Sequence, residues 1–130
     1  MKHSFDIIIV GGGHAGVEAA LISVKKSCSV LMVTQDLKAI GRMSCNPAIG
    51  GLAKGQLVRE IDVLGGQMGC FADLSGMQFK TLNKSKGRSV WSPRAQIDKR
   101  LYEKTVVSMF SNKKINLNMY QKGLRVLLNI

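Results

Sequence analysis

Fourteen residues, Phe5 to Glu18, constrain this chain more than any others, because they run from strand to tight turn to helix start with nothing between. Ile7, Ile8, Ile9 and Val10 form an unbroken β-branched run, the pattern of a strand buried on both faces of a parallel sheet. Gly11, Gly13 and Gly16 follow at once in G-x-G-x-x-G spacing. The first permits a sharp turn, the second lets a pyrophosphate approach the backbone, and the third lets helix and strand pack closely. A helix start directly after such a turn presents free N–H groups and the positive end of its dipole to a phosphate. The spacing alone is weak in a chain with 14 glycines. Its position between a strand pattern and a helical one makes it specific. The helix is expected over residues 15–26, with Val17, Ala20, Leu21 and Val24 on its apolar stripe, and a second strand over residues 29–33. The expected fold is therefore α/β, a Rossmann-like FAD/NAD(P)-binding domain with a parallel sheet.

Dinucleotide folds commonly place an acid at the end of the second strand to bind a ribose hydroxyl. Thr34 stands there, with Asp36 two residues on, so either a hydroxyl or a displaced carboxylate serves. Ser27 closes the first helix where a glycine is the comfortable turn residue.

Residues 40–55 hold four glycines and a proline, which rules out one regular element throughout. Such a density lets backbone lie against a flat ligand. Cys45 sits in the middle. Flanked by Arg42 and Lys54, its thiol is a candidate nucleophile or redox partner, or else a small buried residue in a tight loop.

A helix carrying Leu57, Val58, Ile61 and Leu64 as core, closed by Gly65-Gly66, follows. Residues 68–75 add a further helical stretch and residues 77–81 alternate as a strand. Lys84 to Arg88 form a basic turn. Ser92 as N-cap and Pro93 in the first turn are expected to open the longest helix, reaching about Ser111 with Ile97, Leu101, Val106 and Phe110 on its stripe. Trp91 is expected to pack against that helix or to stack on a base. Ile115, Leu117 and Met119 alternate as a strand, and residues 123–130 as another.

The net charge of +11 is uneven, at +1 over residues 1–79 and +10 over residues 80–130. This asymmetry suits an anionic partner such as nucleic acid, or a plain lysine-rich surface. Cys28, Cys45 and Cys70 form no C-x-x-C pair, and no metal site or disulfide framework is expected. No apolar run approaches the roughly 18 residues of a membrane span. With the first strand starting so near Met1, no leader is expected and the cytoplasm is the expected compartment.

The chain resembles the amino-terminal part of the MnmG family, also called GidA, whose members are flavoproteins modifying the wobble uridine of certain transfer RNAs. The resemblance rests on Gly11 to Gly16, on Met43-Ser-Cys-Asn-Pro-Ala-Ile-Gly-Gly51 with Lys54-Gly55, on Leu64-Gly-Gly66, on Leu82-Asn83 with Ser85-Lys86-Gly87, and on Arg94-Ala-Gln96 with Asp98. It runs from about Phe5 to Gln121. Arg88 in place of a proline and Ser27 in place of a glycine are its local departures.

The resemblance implies an FAD-binding domain, incomplete over residues 1–130, of a longer enzyme. That enzyme uses FAD, NADH and methylenetetrahydrofolate, and works as a homodimer with the GTPase MnmE to place aminomethyl or carboxymethylaminomethyl groups on the uridine C5 of tRNA. Gly11, Gly12, Gly13, His14, Ala15 and Gly16 would hold the FAD phosphates, Thr34 would lie at the ribose, and backbone near Leu124 would touch the adenine end. Cys45 would stand in the glycine-rich loop near the flavin as a candidate catalytic residue. The family's insertion domain, NADH-contacting segment, second cysteine motif and carboxyl-terminal helical domain would lie beyond Ile130. A generic FAD/NAD-dependent reductase, and an inactive remnant with a basic RNA-binding surface, are the alternatives.

Overall fold

A computed structural model describes residues 4–111 and 117–121. They divide into two compact units, Met1–Arg42 with Val106–Ile130, and Met43–Thr105.

In the first unit, strands β1 (Ile7–Val10), β2 (Val30–Thr34) and β6 (Leu117–Gln121) form a parallel sheet in the order β1-β2-β6. Ile7 pairs with Val30 and Val10 with Val33, and on the other side Val30 pairs with Leu117. Parallel strands need a crossover, and helix α1 (His14–Lys25) supplies the one between β1 and β2. Its Val17, Ala20 and Leu21 are buried, and the central strand contributes Val30 and Met32 on the face it shares with Ile7 and Ile9, while Val33 is buried on the opposite face. The entry to the sheet is pinned by Asp6, whose carboxylate accepts from the Ser29 backbone N–H and hydroxyl, both at 2.7 Å.

The two-sided burial expected of the first strand does not hold. Ile7 and Ile9 are half-buried, whereas Ile8 and Val10 on the opposite face are 60% and 61% exposed. β-branching reported the strand correctly, but coverage of each face depends on what packs there.

Helix α1 ends in a Schellman motif. Ser27 N–H donates to Val24 O and Cys28 N–H to Ser23 O, which puts Ser27 in the left-handed region at φ +65°. The discomfort read at Ser27 is thus a real backbone feature.

The second unit holds an antiparallel sheet of β3 (Ala48–Gly50), β5 (Ser92–Ile97) and β4 (Gly76–Leu82), in the order β3-β5-β4. Helices α2 (Lys54–Val63) and α3 (Met68–Ser75) accompany it, and α4 (Lys99–Phe110) follows β5. The core here includes Ile49, Phe71, Ala72, Ala95, Ile97 and Tyr102, with the Phe71 and Tyr102 rings edge to face at 6.1 Å.

Two expectations fail in this unit. Ser92-Pro93 opens no helix; it begins the central strand β5, paired with both β3 and β4. The cap belongs to Asp98, whose Oδ1 accepts from Arg100 and Leu101 N–H at 2.9 and 3.1 Å. Ser92 and Asp98 are both good N-cap residues, and pairing with strands far away in sequence decides between them. Ile97 accordingly belongs to a strand, while Val106 and Phe110 are buried on the helix as read.

The apolar residues of α2 are likewise not core. Leu57 and Leu64 are 56% and 78% exposed and Val58 and Ile61 half-buried. The buried residue is Gly55, where a Cβ would run into Ser92 and Pro93 of β5. This helix meets the sheet through its smallest residue and not through its apolar stripe. It closes as expected, with Gly65 at φ +88° and the N–H groups of Gly65 and Gly66 donating to Asp62 O and Ile61 O.

Trp91 packs by way of its own turn: its Nε1 donates to Lys84 O at 3.2 Å and the Arg88 guanidinium lies 5.8 Å from its ring centre. Among the described residues no helix is long and apolar enough to cross a membrane.

Candidate functional site

The glycine turn in the first unit is built from both ends. Gly11 stands at φ +109°, a conformation that L side chains rarely adopt, and its N–H donates to Val33 O at 2.8 Å, tying the turn to β2. Gly16 lies so close beneath Gly11 that any Cβ there would collide with the Gly11 carbonyl, with Ile9 Cγ2 at 3.5 Å on the far side. Gly13 is different. Its backbone is extended at φ −73°, and a Cβ built on it meets nothing within 4 Å.

The start of α1 is electrically open. Gly13 is the N-cap, no side chain caps the helix, and its first turn carries no acidic residue. Positive dipole and N–H groups therefore face space that no side chain fills, which is the arrangement an anion takes.

Three further residues shape the turn. Gly41 N–H donates to Gly12 O at 2.8 Å, and a Cβ on Gly12 would press against Ile40 Cγ1 and Thr34 Oγ1, each at 3.1 Å. Thr34 therefore stands directly beside Gly12. Asp36 does not compete for that place: its Oδ1 accepts from Lys38 N–H at 2.8 Å, capping a short 3₁₀ turn at Leu37–Ala39, and its Oδ2 pairs with Arg42 at 3.7 Å. Between the two alternatives, the hydroxyl is the group at the turn. Ile40 and Gly41 complete the turn. Only the glycine at 41 hinted at them, since contact with Gly12 arises from the fold.

His14, the first residue of α1, is half-buried. Burial lowers its pKa below the ordinary 6.5, with the Glu18 carboxylate one turn on opposing the shift. The imidazole is neutral near pH 7. Ala15 is exposed in the same turn.

The structure thus gathers Gly11, Gly12, Gly13, His14, Ala15, Gly16 and Thr34 in one unit. Leu124 lies outside the described residues. Cys45 belongs to the second unit and is exposed, so the reading of it as a small buried residue is overturned. Lys99, which the sequence did not mark, reaches back to donate to Cys45 O at 2.7 Å, and Ser44 Oγ lies 3.9 Å from the thiol sulfur. Cys28, Cys45 and Cys70 are free thiols. Among the described residues no three His, Cys, Asp or Glu side chains gather as metal ligands would.

Comparison with known proteins identifies the family and the fold. The family described as "Glucose inhibited division protein A" matches residues 6–129. The tRNA uridine 5-carboxymethylaminomethyl modification enzyme MnmG of Borreliella burgdorferi (strain ZS7) is 54% identical over 117 residues, 90% of this chain and 19% of that protein. The enzyme of the same name from Porphyromonas gingivalis (strain ATCC BAA-308 / W83) is 48% identical over 127 residues, 98% of this chain and 20% of its own length. Among solved structures, Aquifex aeolicus GidA superposes with a TM-score of 0.87 at 50% identity, covering 92% of this chain and 20% of that one. The fold alone is shared with pqsL of Pseudomonas aeruginosa, described as a probable FAD-dependent monooxygenase, at TM-score 0.51 and 14% identity over 93% of this chain and 36% of that one. The chain spans about a fifth of the length of the curated relatives it matches.

Proposed function

The chain belongs to the glucose inhibited division protein A family and has its Rossmann-like FAD-binding fold, and from that premise we propose that it holds the phosphate end of FAD in an enzyme that modifies the wobble uridine of tRNA. The observation that carries the reading is the open space over Gly13 at an uncapped helix start. Gly11 turns the chain, Gly13 leaves room, and the N–H groups of the first turn of α1 donate to phosphate oxygens. Thr34 Oγ1, fixed beside Gly12, is the proposed partner of a ribose hydroxyl, and the backbone near Leu124 that of the adenine end. His14, kept neutral by burial, adds no charge at the mouth of the turn.

When bound, the flavin would supply the electron-pair transfer. Cys45 is the proposed catalytic thiol, and its exposure leaves it accessible to a reacting partner. In the whole protein we propose tRNA as substrate, which the names of the relatives support, and, on the family resemblance alone, NADH and methylenetetrahydrofolate as co-substrates, MnmE as partner, a homodimeric assembly and a cytoplasmic setting.

The test is flavin content. The purified full-length protein is expected to carry flavin absorbance, and Gly13→Asp in it, which sets a carboxylate where the phosphates would lie, is expected to remove that absorbance while the fold persists. Stoichiometric flavin in the folded variant would overturn the reading.

A further inference from the structure

The carboxyl end of β2 decides which adenine nucleotides a fold of this kind admits. A carboxylate there binds the ribose hydroxyls and repels a 2′-phosphate, whereas a cation nearby receives one. In this chain the place belongs to Thr34, whose Oγ1 lies 3.1 Å from where a Cβ on Gly12 would stand. Within the chain this hydroxyl makes a long bond of 3.5 Å to Asp36 O. Unlike a carboxylate, it can donate to a phosphate oxygen.

No other carboxylate takes up the role. The unit that holds the cradle has three acidic residues, Asp6, Glu18 and Asp36, and none over residues 106–130. Asp6 is bonded to Ser29 at the amino ends of β1 and β2, opposite the cradle. Glu18 lies one turn along α1, where its charge acts on His14. Asp36 directs one oxygen to Lys38 N–H at 2.8 Å and the other to Arg42 at 3.7 Å. Against these three the same unit carries nine Lys and Arg residues, a balance that favours additional negative charge. Arg42 is placed to use it, since it follows Gly41, whose N–H donates to Gly12 O at 2.8 Å. Its contact with Asp36 is a single pair between side chains that are each about half exposed. Such pairs are weak, and a guanidinium bonds a phosphate more strongly, through two parallel N–H groups.

We infer that the ribose end of the cradle takes 2′-phosphorylated adenine dinucleotides, of the NADP type, as well as FAD. This rests on the cradle reading given above and names a further ligand class for the same site. Thr34 Oγ1 donates to the 2′-phosphate, and Arg42 turns to it from Asp36, which keeps its bond to Lys38 N–H.

ADP-ribose and 2′-phospho-ADP-ribose differ only in that phosphate, and both are titrated calorimetrically into the full-length protein freed of any flavin. The phosphorylated form is expected to bind at least threefold more tightly. Thr34→Glu is expected to weaken it at least tenfold while leaving ADP-ribose within threefold of the parent, and Arg42→Gln to erase its advantage. Because Arg42 is half-exposed, the second variant keeps the test decisive should Thr34→Glu not fold. Gly13→Asp is expected to abolish binding of both nucleotides. An affinity for the phosphorylated form no higher than that for ADP-ribose would overturn this inference and leave the FAD reading standing. An unchanged ratio of the two affinities in the folded Thr34 and Arg42 variants would do the same. Failure of both nucleotides to bind the parent protein would overturn the two readings together.

Discussion

Gly16 sits directly under the carbonyl of Gly11, with no room for a single added methyl group. That contact lets α1 leave the sheet at the angle the turn needs, so the third glycine of the fingerprint is a packing requirement, whereas the second is a vacancy. Gly16→Ala is expected to cost roughly 1–3 kcal/mol or more, as overpacking does. Gly13→Ala is expected to change stability by no more than about 0.5 kcal/mol, because nothing surrounds the new methyl group. Urea unfolding of the two variants checks this, and equal losses would contradict the assignment.

The two helix ends closed by Schellman motifs differ in one residue type. Gly65 adopts its positive φ without a Cβ, while Ser27 holds φ +65° with one. Ser27→Gly is expected to stabilise the protein by about 1 kcal/mol, the lower end of the left-handed penalty, and Gly65→Ala to destabilise it by a similar amount. An unchanged denaturation midpoint for Ser27→Gly would show that the serine pays no conformational penalty there.

Asp98 accepts two backbone N–H groups at the start of α4. Its replacement by alanine is expected to cost about 1 kcal/mol, the usual loss of an N-cap. Equilibrium unfolding measures the loss; a neutral substitution would mean that α4 is held by the packing of Tyr102, Val106 and Phe110 alone.

Protonation of His14 gives a pH dependence of definite sign. Its folded pKa lies below 6.5, with burial the larger cause and Glu18 opposing it. Between the folded and unfolded values the unfolded chain binds more protons, so stability rises with pH there. This contribution is complete above pH 6.5 and is lost as pH falls through the lowered folded value. Melting temperatures taken between about pH 7.5 and about pH 5.5 are expected to fall less steeply in His14→Asn than in the parent. Identical slopes would remove His14 from the account.

What could be read from the sequence was what neighbours in the chain decide together. The strand, turn and helix of residues 7–25 lie within reach of one another, so β-branching, glycine spacing and the helical stripe each constrain the same few bonds. The Gly65-Gly66 closure and the unease at Ser27 were legible for the same reason. The +10 segment was visible too, but not that Lys80 and Arg94 would become neighbours across two strands.

Tertiary structure settled the choices that local signals left balanced. Ser92 and Asp98 both look like helix caps, and only the pairing of residues 92–97 with residues 48–50 and 76–82 turned the first into a strand. Thr34 and Asp36 both suited the end of β2 until the carboxylate was drawn to Lys38 and Arg42, leaving the hydroxyl beside Gly12. Leu57 and Leu64 have the spacing of a core face, yet the sheet meets α2 at Gly55. The sequence by itself determined the glycine cradle, because its parts are adjacent along the chain. Which apolar face is covered, which cap is used and which cations face each other were decided by contacts between residues tens of positions apart, and local propensity holds no term for those.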